Sequence, residues 1–265
     1  MVSNSSAALI DLPYVDDHLV EPGTPFEMWD GELVYVPPCD APHGARQAKL
    51  AGLIEAHLAA EFSVAFELLT RTSKIDDIAP DISVYPTAPD PVTGRRQLQQ
   101  IAFEVASTQT LADAGRKARK LAGRGVRRVF AIELRRARVL EWSTDLDDWA
   151  QLAAVGDIVD PVLSVPLPIA PLLTAAHTDD VVARALIAKE NPEVMQYRAE
   201  GEARGRAEGE AKGRAESLLS VLAARGIVVD PASRLRILGE HDRAQLERWL
   251  ARVANCRTVA ELLAP

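Results

Sequence analysis

Two carboxylates stand inside short apolar runs of the kind that become buried strands. Asp81 lies in "IAPDISVY" (Ile78–Tyr85) and Glu104 in "IAFEVAST" (Ile101–Thr108). Successive strand side chains point to opposite faces. In the second run Ile101, Phe103 and Val105 therefore face one way, and Ala102, Glu104 and Ala106 the other. The two alanines leave the carboxylate room. In the first run Ile82 and Val84 share a face, with Asp81, Ser83 and Tyr85 opposite. If the strands are neighbours, Asp81 and Glu104 converge near one edge of a sheet. Converging carboxylates repel unless a cation sits between them. Hard oxygen donors suit Mg²⁺ or Mn²⁺, ions that bind phosphate oxygens and activate a nucleophile.

The surrounding chain supplies elements to hold these acids. "GELVYV" (Gly31–Val36) reads as a strand, broken by Pro37 and Pro38. From Gly44 to Phe62, Leu50, Leu53, Ile54, Leu58 and Phe62 recur at helical spacing. Ser63–Ile75 reads as a strand, and "PTAPDPVTGRR" joins the two acid-bearing strands as a hairpin-type loop. Beyond Glu104, Thr110 caps a helix with Asp113 completing a capping box, and Gly123 or Gly125 stops it. "VRRVFAIEL" and "ARVLEWS" then form a strand pair turning at Arg135–Arg136. The order β, α, β, β, β, α, β, β, ending near Trp149, describes a mixed α/β domain.

The expected organisation is an N-terminal arm (1–25), an α/β domain (26–175), a helical charged linker (176–216) and a small helical C-terminal unit (217–265). In "AEGEARGRAEGEAKGRAE" (Ala199–Glu216), glycine recurs every fourth residue at Gly201, Gly205, Gly209 and Gly213. Glycine costs about 1 kcal/mol per site in a helix. The stripe is therefore either a close contact with another helix, as in a coiled coil or homo-oligomer, or a spacer.

With 48% hydrophobic and 26% charged residues, the 265-residue chain has the composition of an ordinary globular protein. Cys39 and Cys256 form no CxxC pair, which argues against a zinc site and fits a reducing compartment. The N-terminus lacks the basic head and apolar run of a signal peptide, and no run reaches the roughly 20 apolar residues of a membrane helix. The expected location is cytoplasmic, with no membrane partner. A net charge of −8 disfavours a generic nucleic-acid binder. Yet Arg116–Arg138 holds ten basic residues against one acid, Glu133. Such a segment is either a phosphate-attracting patch or a solvated helix face.

The ordered set of motifs resembles the PD-(D/E)xK nuclease superfamily, and within it the Uma-type restriction endonuclease family. The matching residues are Pro80-Asp81-Ile82-Ser83-Val84, Glu104-Val105-Ala106-Ser107, Asp113 with Lys117, and Gly125-Val126. Upstream, "DGELVYVPPCDAPHGARQ" is similar to the family's opening, through Glu32 and His43. The strict superfamily lysine, two residues after the acid, is Ala106 here. The family's lysine migrates to the helix, onto Lys117. The family's Glu-Tyr-Trp strand ending in Asp is "RRVFAIE" here.

The resemblance covers about Pro25–Trp149. It implies a restriction-endonuclease-like mixed β-sheet flanked by helices, with a helical C-terminal extension in this chain. It further implies metal-dependent hydrolysis of nucleic acid, with DNA the expected substrate. Asp81 and Glu104 would hold Mg²⁺ or Mn²⁺, with the Val105 carbonyl completing the set and Glu32 reaching it through water. Lys117 would orient the attacking water and offset phosphate charge. Asp113 reads as a cap, His43 as the start of a helix, and Glu67 as a further acid. Lys120, Arg127 and Arg128 are the expected nucleic-acid contacts. The alternative is a non-catalytic nuclease-fold protein that binds or assembles through its C-terminal helices.

Overall fold

The computed structural model describes residues 12–106, 110–174 and 178–264. Met1–Asp11 of the expected arm, Ser107 of the Glu104–Ser107 match and residues 175–177 at the linker start lie outside them. The chain divides into two compact units, Met1–Lys189 and Glu190–Pro265.

The first unit opens on a hairpin of β1 (Phe26–Trp29) and β2 (Glu32–Tyr35). Its turn is the Asp30-Gly31 pair, both at positive φ (52° and 83°), which matches the two-residue hairpin turn that such dipeptides favour. Helix α1 (Ala41–His57) is capped by Asp40, whose side chain accepts from the His43 N–H. Then come β3 (Phe62–Phe66), β4 (Thr70–Arg71), β5 (Asp77–Ile78), β6 (Ile82–Pro86) and β7 (Ile101–Ala106). Helix α2 (Leu111–Arg124) connects β7 to β8 (Arg128–Glu133). Thr110 accepts from the Asp113 N–H at its start, and Gly125 ends it at φ 114°, in the left-handed region. A 3₁₀ turn (Leu134–Arg136) leads to β9 (Arg138–Ser143) and β10 (Asp148–Gln151). The following segment, which contains Pro161, Pro166, Pro168 and Pro171, contributes β11 (Asp157–Ile158), β12 (Leu167–Pro168) and α3 (Ile169–Thr174), followed by α4 (Thr178–Ala188).

Six strands form the main sheet in the order β10-β9-β8-β7-β6-β3. Only its β7–β8 pair is parallel, as a helical crossover requires. A second sheet runs β2-β1-β5-β4, and β11 pairs with β12. The alternation along β7 sorts its side chains between two cores. Ile101, Phe103 and Val105 join Leu50, Leu53 and Ile54 of α1 in the larger cluster. Ala102 faces Ala118 and Leu121 of α2 on the other side. The Phe103 and Phe130 rings stack at 5.1 Å in the larger core, where full burial of each contributes about 1.5–3 kcal/mol.

"IAPDISVY" is not one strand. Ile78 ends β5 in the small sheet, and Ile82 begins β6 in the large one. The Ala79-Pro80-Asp81 link crosses between sheets. Proline supplies no N–H for either ladder and biases its predecessor toward extended backbone. Asp81 therefore lies at the junction rather than in mid-strand.

The second unit holds α5 (Pro192–Ala224), α6 (Pro231–Leu238), α7 (Arg243–Arg252) and α8 (Val259–Leu263). Ala211, Ala215, Leu218 and Leu222 of α5 pack with Ile237, Leu246, Trp249 and Leu262. The glycine stripe belongs to this one continuous helix. Cβ atoms added at Gly201, Gly205, Gly209 and Gly213 would meet nothing within 4 Å.

Candidate active site

Asp81 sits where the main sheet begins, and its carboxylate is held on several sides. Oδ2 accepts from the Val105 N–H at 2.6 Å and Oδ1 from the Gln47 Nε2 at 3.1 Å. The His43 Nε2 stands 3.7 Å from Oδ1. The neighbouring Asp81 carboxylate is the main cause of a raised His43 pKa. Burial opposes it, and the charges of Asp81, Asp40 and Glu67 add to it. Gln47 lies on the buried face of α1 and carried no sequence signal as a site residue.

Glu104 is fully buried in β7. The register pairs Ile82 with Phe103, so the next step along each strand sets Asp81 opposite Glu104. Lys117 comes from the buried face of α2. Its ammonium donates to Glu27 Oε1 at 3.0 Å and to the Ala79 carbonyl at 2.8 Å, and stands 4.0 Å from Glu104 Oε2. Burial pushes the Lys117 pKa down, but the nearby carboxylates of Glu104, Glu27 and Asp81 outweigh it and raise the value above the ordinary lysine range. One lysine thus links the hairpin, the inter-sheet junction and the central strand. A cleft of about 350 Å³ opens here, lined in part by Glu27, Glu67, Ala79, Asp81 and Lys117.

Glu27 is the acid that sequence reasoning missed. It is 3% exposed on β1, and its second oxygen accepts from the Trp29 indole N–H at 2.6 Å. The Asp30-Gly31 dipeptide was the available signal, because a two-residue turn between apolar runs requires a strand on each side. Glu32, the acid singled out instead, is exposed on β2, in register with Trp29. It lines a neighbouring cleft with Asp113, Arg116 and Lys117. Glu67 is exposed, and its N–H donates to the Asp81 carbonyl. Asp113 accepts from the Thr110 hydroxyl and pairs with Arg116 at the start of α2.

The basic segment is largely neutralised from within. Lys120 bridges Asp30 and Asp76, each at 2.6 Å. Arg127 pairs with Asp160, whose side chain is 2% exposed. Arg128 makes a two-pronged contact with Glu141 and stacks over Phe130. Arg119 does the same with Asp147, and Arg136 and Arg138 meet Glu133. Arg128 is in register with Ile101, three residues from Glu104 along β7 and roughly 10 Å away at strand rise.

Among the described residues, no group of three or more His, Cys, Asp or Glu side chains is arranged to hold a metal ion. Two carboxylates and a main-chain carbonyl fall below that number. Such a sparse set of hard oxygen donors suits Mg²⁺, which keeps several of its waters. In a strand, a residue's N–H and C=O point to the same edge. The Val105 N–H meets Asp81, so its carbonyl is directed toward the same side.

The fold is a nuclease-like mixed sheet, with Asp81 just ahead of β6, Glu104 within β7 and Lys117 on the helix that crosses from β7 to β8. The chain belongs to the Uma2 family, described as "Putative restriction endonuclease", with residues 10–172 matched. Among solved structures it is similar to a putative nuclease belonging to DUF820 from Anabaena variabilis. Identity there is 16% over 56% of this chain and 89% of the other, with a TM-score of 0.47. No curated protein matches.

Proposed function

We propose that this protein is a divalent-metal-dependent phosphodiesterase that hydrolyses nucleic acid, with DNA as substrate. One observation carries the reading: the Lys117 ammonium is buried 4.0 Å from Glu104 and lines the same cleft as Asp81. Asp81, Glu104 and the Val105 carbonyl would hold Mg²⁺ or Mn²⁺. When bound, the ion neutralises phosphate charge and makes a bound water more acidic. His43 and Gln47 orient Asp81 from α1. Lys117 keeps its proton, offsets charge on the scissile phosphate and orients the attacking water. The two free cysteines, Cys39 and Cys256, suit a reducing cytoplasm.

The test is a binding and cleavage titration on duplex and single-stranded DNA with EDTA, Ca²⁺, Mg²⁺ and Mn²⁺. Cleavage is expected with Mg²⁺ or Mn²⁺, and binding without cleavage with Ca²⁺. Asp81→Ala is expected to remove metal-dependent cleavage. Cleavage in EDTA, or by purified Asp81→Ala protein, overturns the reading. The internal neutralisation of the arginine-rich segment favours a second one, a nuclease-fold assembly protein working through its C-terminal helices. Metal-independent binding with no cleavage of any substrate would select it.

A further inference from the structure

We propose that Glu27 is a positioning residue: its carboxylate, itself held by the Trp29 indole, fixes the Lys117 ammonium beside the Asp81–Glu104 pair. The inference rests on the phosphodiesterase reading and adds to it the group that aims the lysine.

Lysine is a point charge on a flexible four-carbon stem. Something must select one position for it. Here two acceptors do so, Glu27 Oε1 at 3.0 Å and the Ala79 carbonyl at 2.8 Å. Glu27 is itself immobilised. It is almost fully buried, and its other oxygen is taken by Trp29 Nε1 at 2.6 Å. Residues two apart on a strand share a face, so Glu27 and Trp29 act from one side of the hairpin. Helix α2 holds that side a second time, through the Arg116 guanidinium 5.0 Å from the Trp29 ring centroid. Consecutive residues of one helix thus grip the indole and the carboxylate.

Without Glu27, the nearest carboxylate to the ammonium is Glu104, already only 4.0 Å away. The lysine would close on it and occupy the acid that a divalent ion needs. With Glu27 present, lysine and glutamate cancel. Asp81 and Glu104 then keep their two formal negative charges, the balance a divalent cation matches. The sequence places Glu27 ninety residues from Lys117, and only the hairpin brings them together.

Three measurements on the full chain test this. Lys117 acylation by an amine reagent, followed by peptide mass spectrometry, should be slow in the native protein and several-fold faster in Glu27→Gln, whose neutral amide no longer holds the ammonium by charge. A Lys117 labelling rate unchanged by Glu27→Gln overturns the proposal, whether or not any DNA is cut. In cleavage, Glu27→Gln should lower kcat by about 10- to 100-fold with the KM for DNA nearly constant, because what the misplaced lysine no longer supplies is its contact with the scissile phosphate in the transition state. In a Lys117→Met background, the same substitution should lower cleavage no further. Losses that multiply independently would show that Glu27 does not act through Lys117. Trp29→Phe, which removes the indole donor but keeps a ring, should give a smaller kcat loss and intermediate labelling. It also serves should Glu27→Gln fail to fold. If the native protein shows no metal-dependent cleavage, the phosphodiesterase reading fails by itself, and the labelling result still decides whether Glu27 fixes the lysine.

Discussion

Lys117→Met removes a buried cation from between Glu27 and Glu104 while nearly keeping side-chain volume. The Lys117, Glu27 and Glu104 side chains are 8%, 4% and 0% exposed. Removing one partner of a buried ion pair leaves the other charge uncompensated, at a cost of about 3–5 kcal/mol. For a unit of this size each kcal/mol shifts Tm by about 2–4 °C, so the expected fall at pH 7 is roughly 6–20 °C. The deficit should shrink as pH falls toward 5, because the stranded carboxylates then take up protons. The native protein should show the opposite signature in alkali. The folded Lys117 pKa lies above its unfolded value. Its stabilisation is therefore fully present below the ordinary lysine pKa and lost as pH rises through the folded value. Lys117→Met should lack that alkaline loss. Urea titrations followed by circular dichroism at pH 5, at pH 7 and at an alkaline pH above the ordinary lysine pKa measure all three points. A deficit at pH 7 below about 1 kcal/mol, the worth of a surface pair, would refute the argument. So would a deficit that is the same at pH 5.

Arg127→Ala should destabilise the fold by about 1–3 kcal/mol by stripping a partner from buried Asp160, with the salt dependence of DNA binding unchanged. Weaker DNA binding at unaltered stability would show that the arginine contacts phosphate instead. The His43 imidazole, which stands beside the Asp81 carboxylate, should titrate above 6.5 by NMR. Its contribution to stability is full below 6.5 and lost as pH rises through the elevated value; a pKa at or below 6.5 sinks this. Gly205→Ala and Gly209→Ala, at positions open to solvent, should each stabilise α5 by up to about 1 kcal/mol, seen as a higher helix melting temperature. A loss would mean that the stripe packs against another helix. A chain ending at Lys189, the limit of the first compact unit, should unfold cooperatively by calorimetry; non-cooperative melting would place the later helices in its core.

Much of the architecture was legible because periodicity and caps agree locally. The alternation in β7 sorted Phe103 from Glu104, and Thr110 and Gly125 bounded α2 as their backbone chemistry demands. What escaped was long-range. "IAPDISVY" looked continuous because neither Ile78 nor Ile82 records which sheet it joins. Gln47 looked like an ordinary polar helix residue, since its contact with Asp81 depends on how α1 crosses the sheet. The ion pairs of Lys120, Arg127 and Arg128 join residues up to ninety positions apart. A local charge tally sees only the basic partners.

A lysine on a helix has its distance from the acids set by packing rather than by strand register. Two residues along a strand are fixed by covalent geometry. Lys117, by contrast, moves with α2, and α2 rests on Ala102, Val129 and Trp142 of the sheet. At Gly115 the helix comes so close that a Cβ would stand 3.3 Å from both Trp142 and Trp149. The reach of the ammonium is thus adjustable from the packing beneath the helix. A methyl group added or removed beneath α2 would act as a fine screw on the spacing between Lys117 and the carboxylates, without altering a single acidic or basic residue.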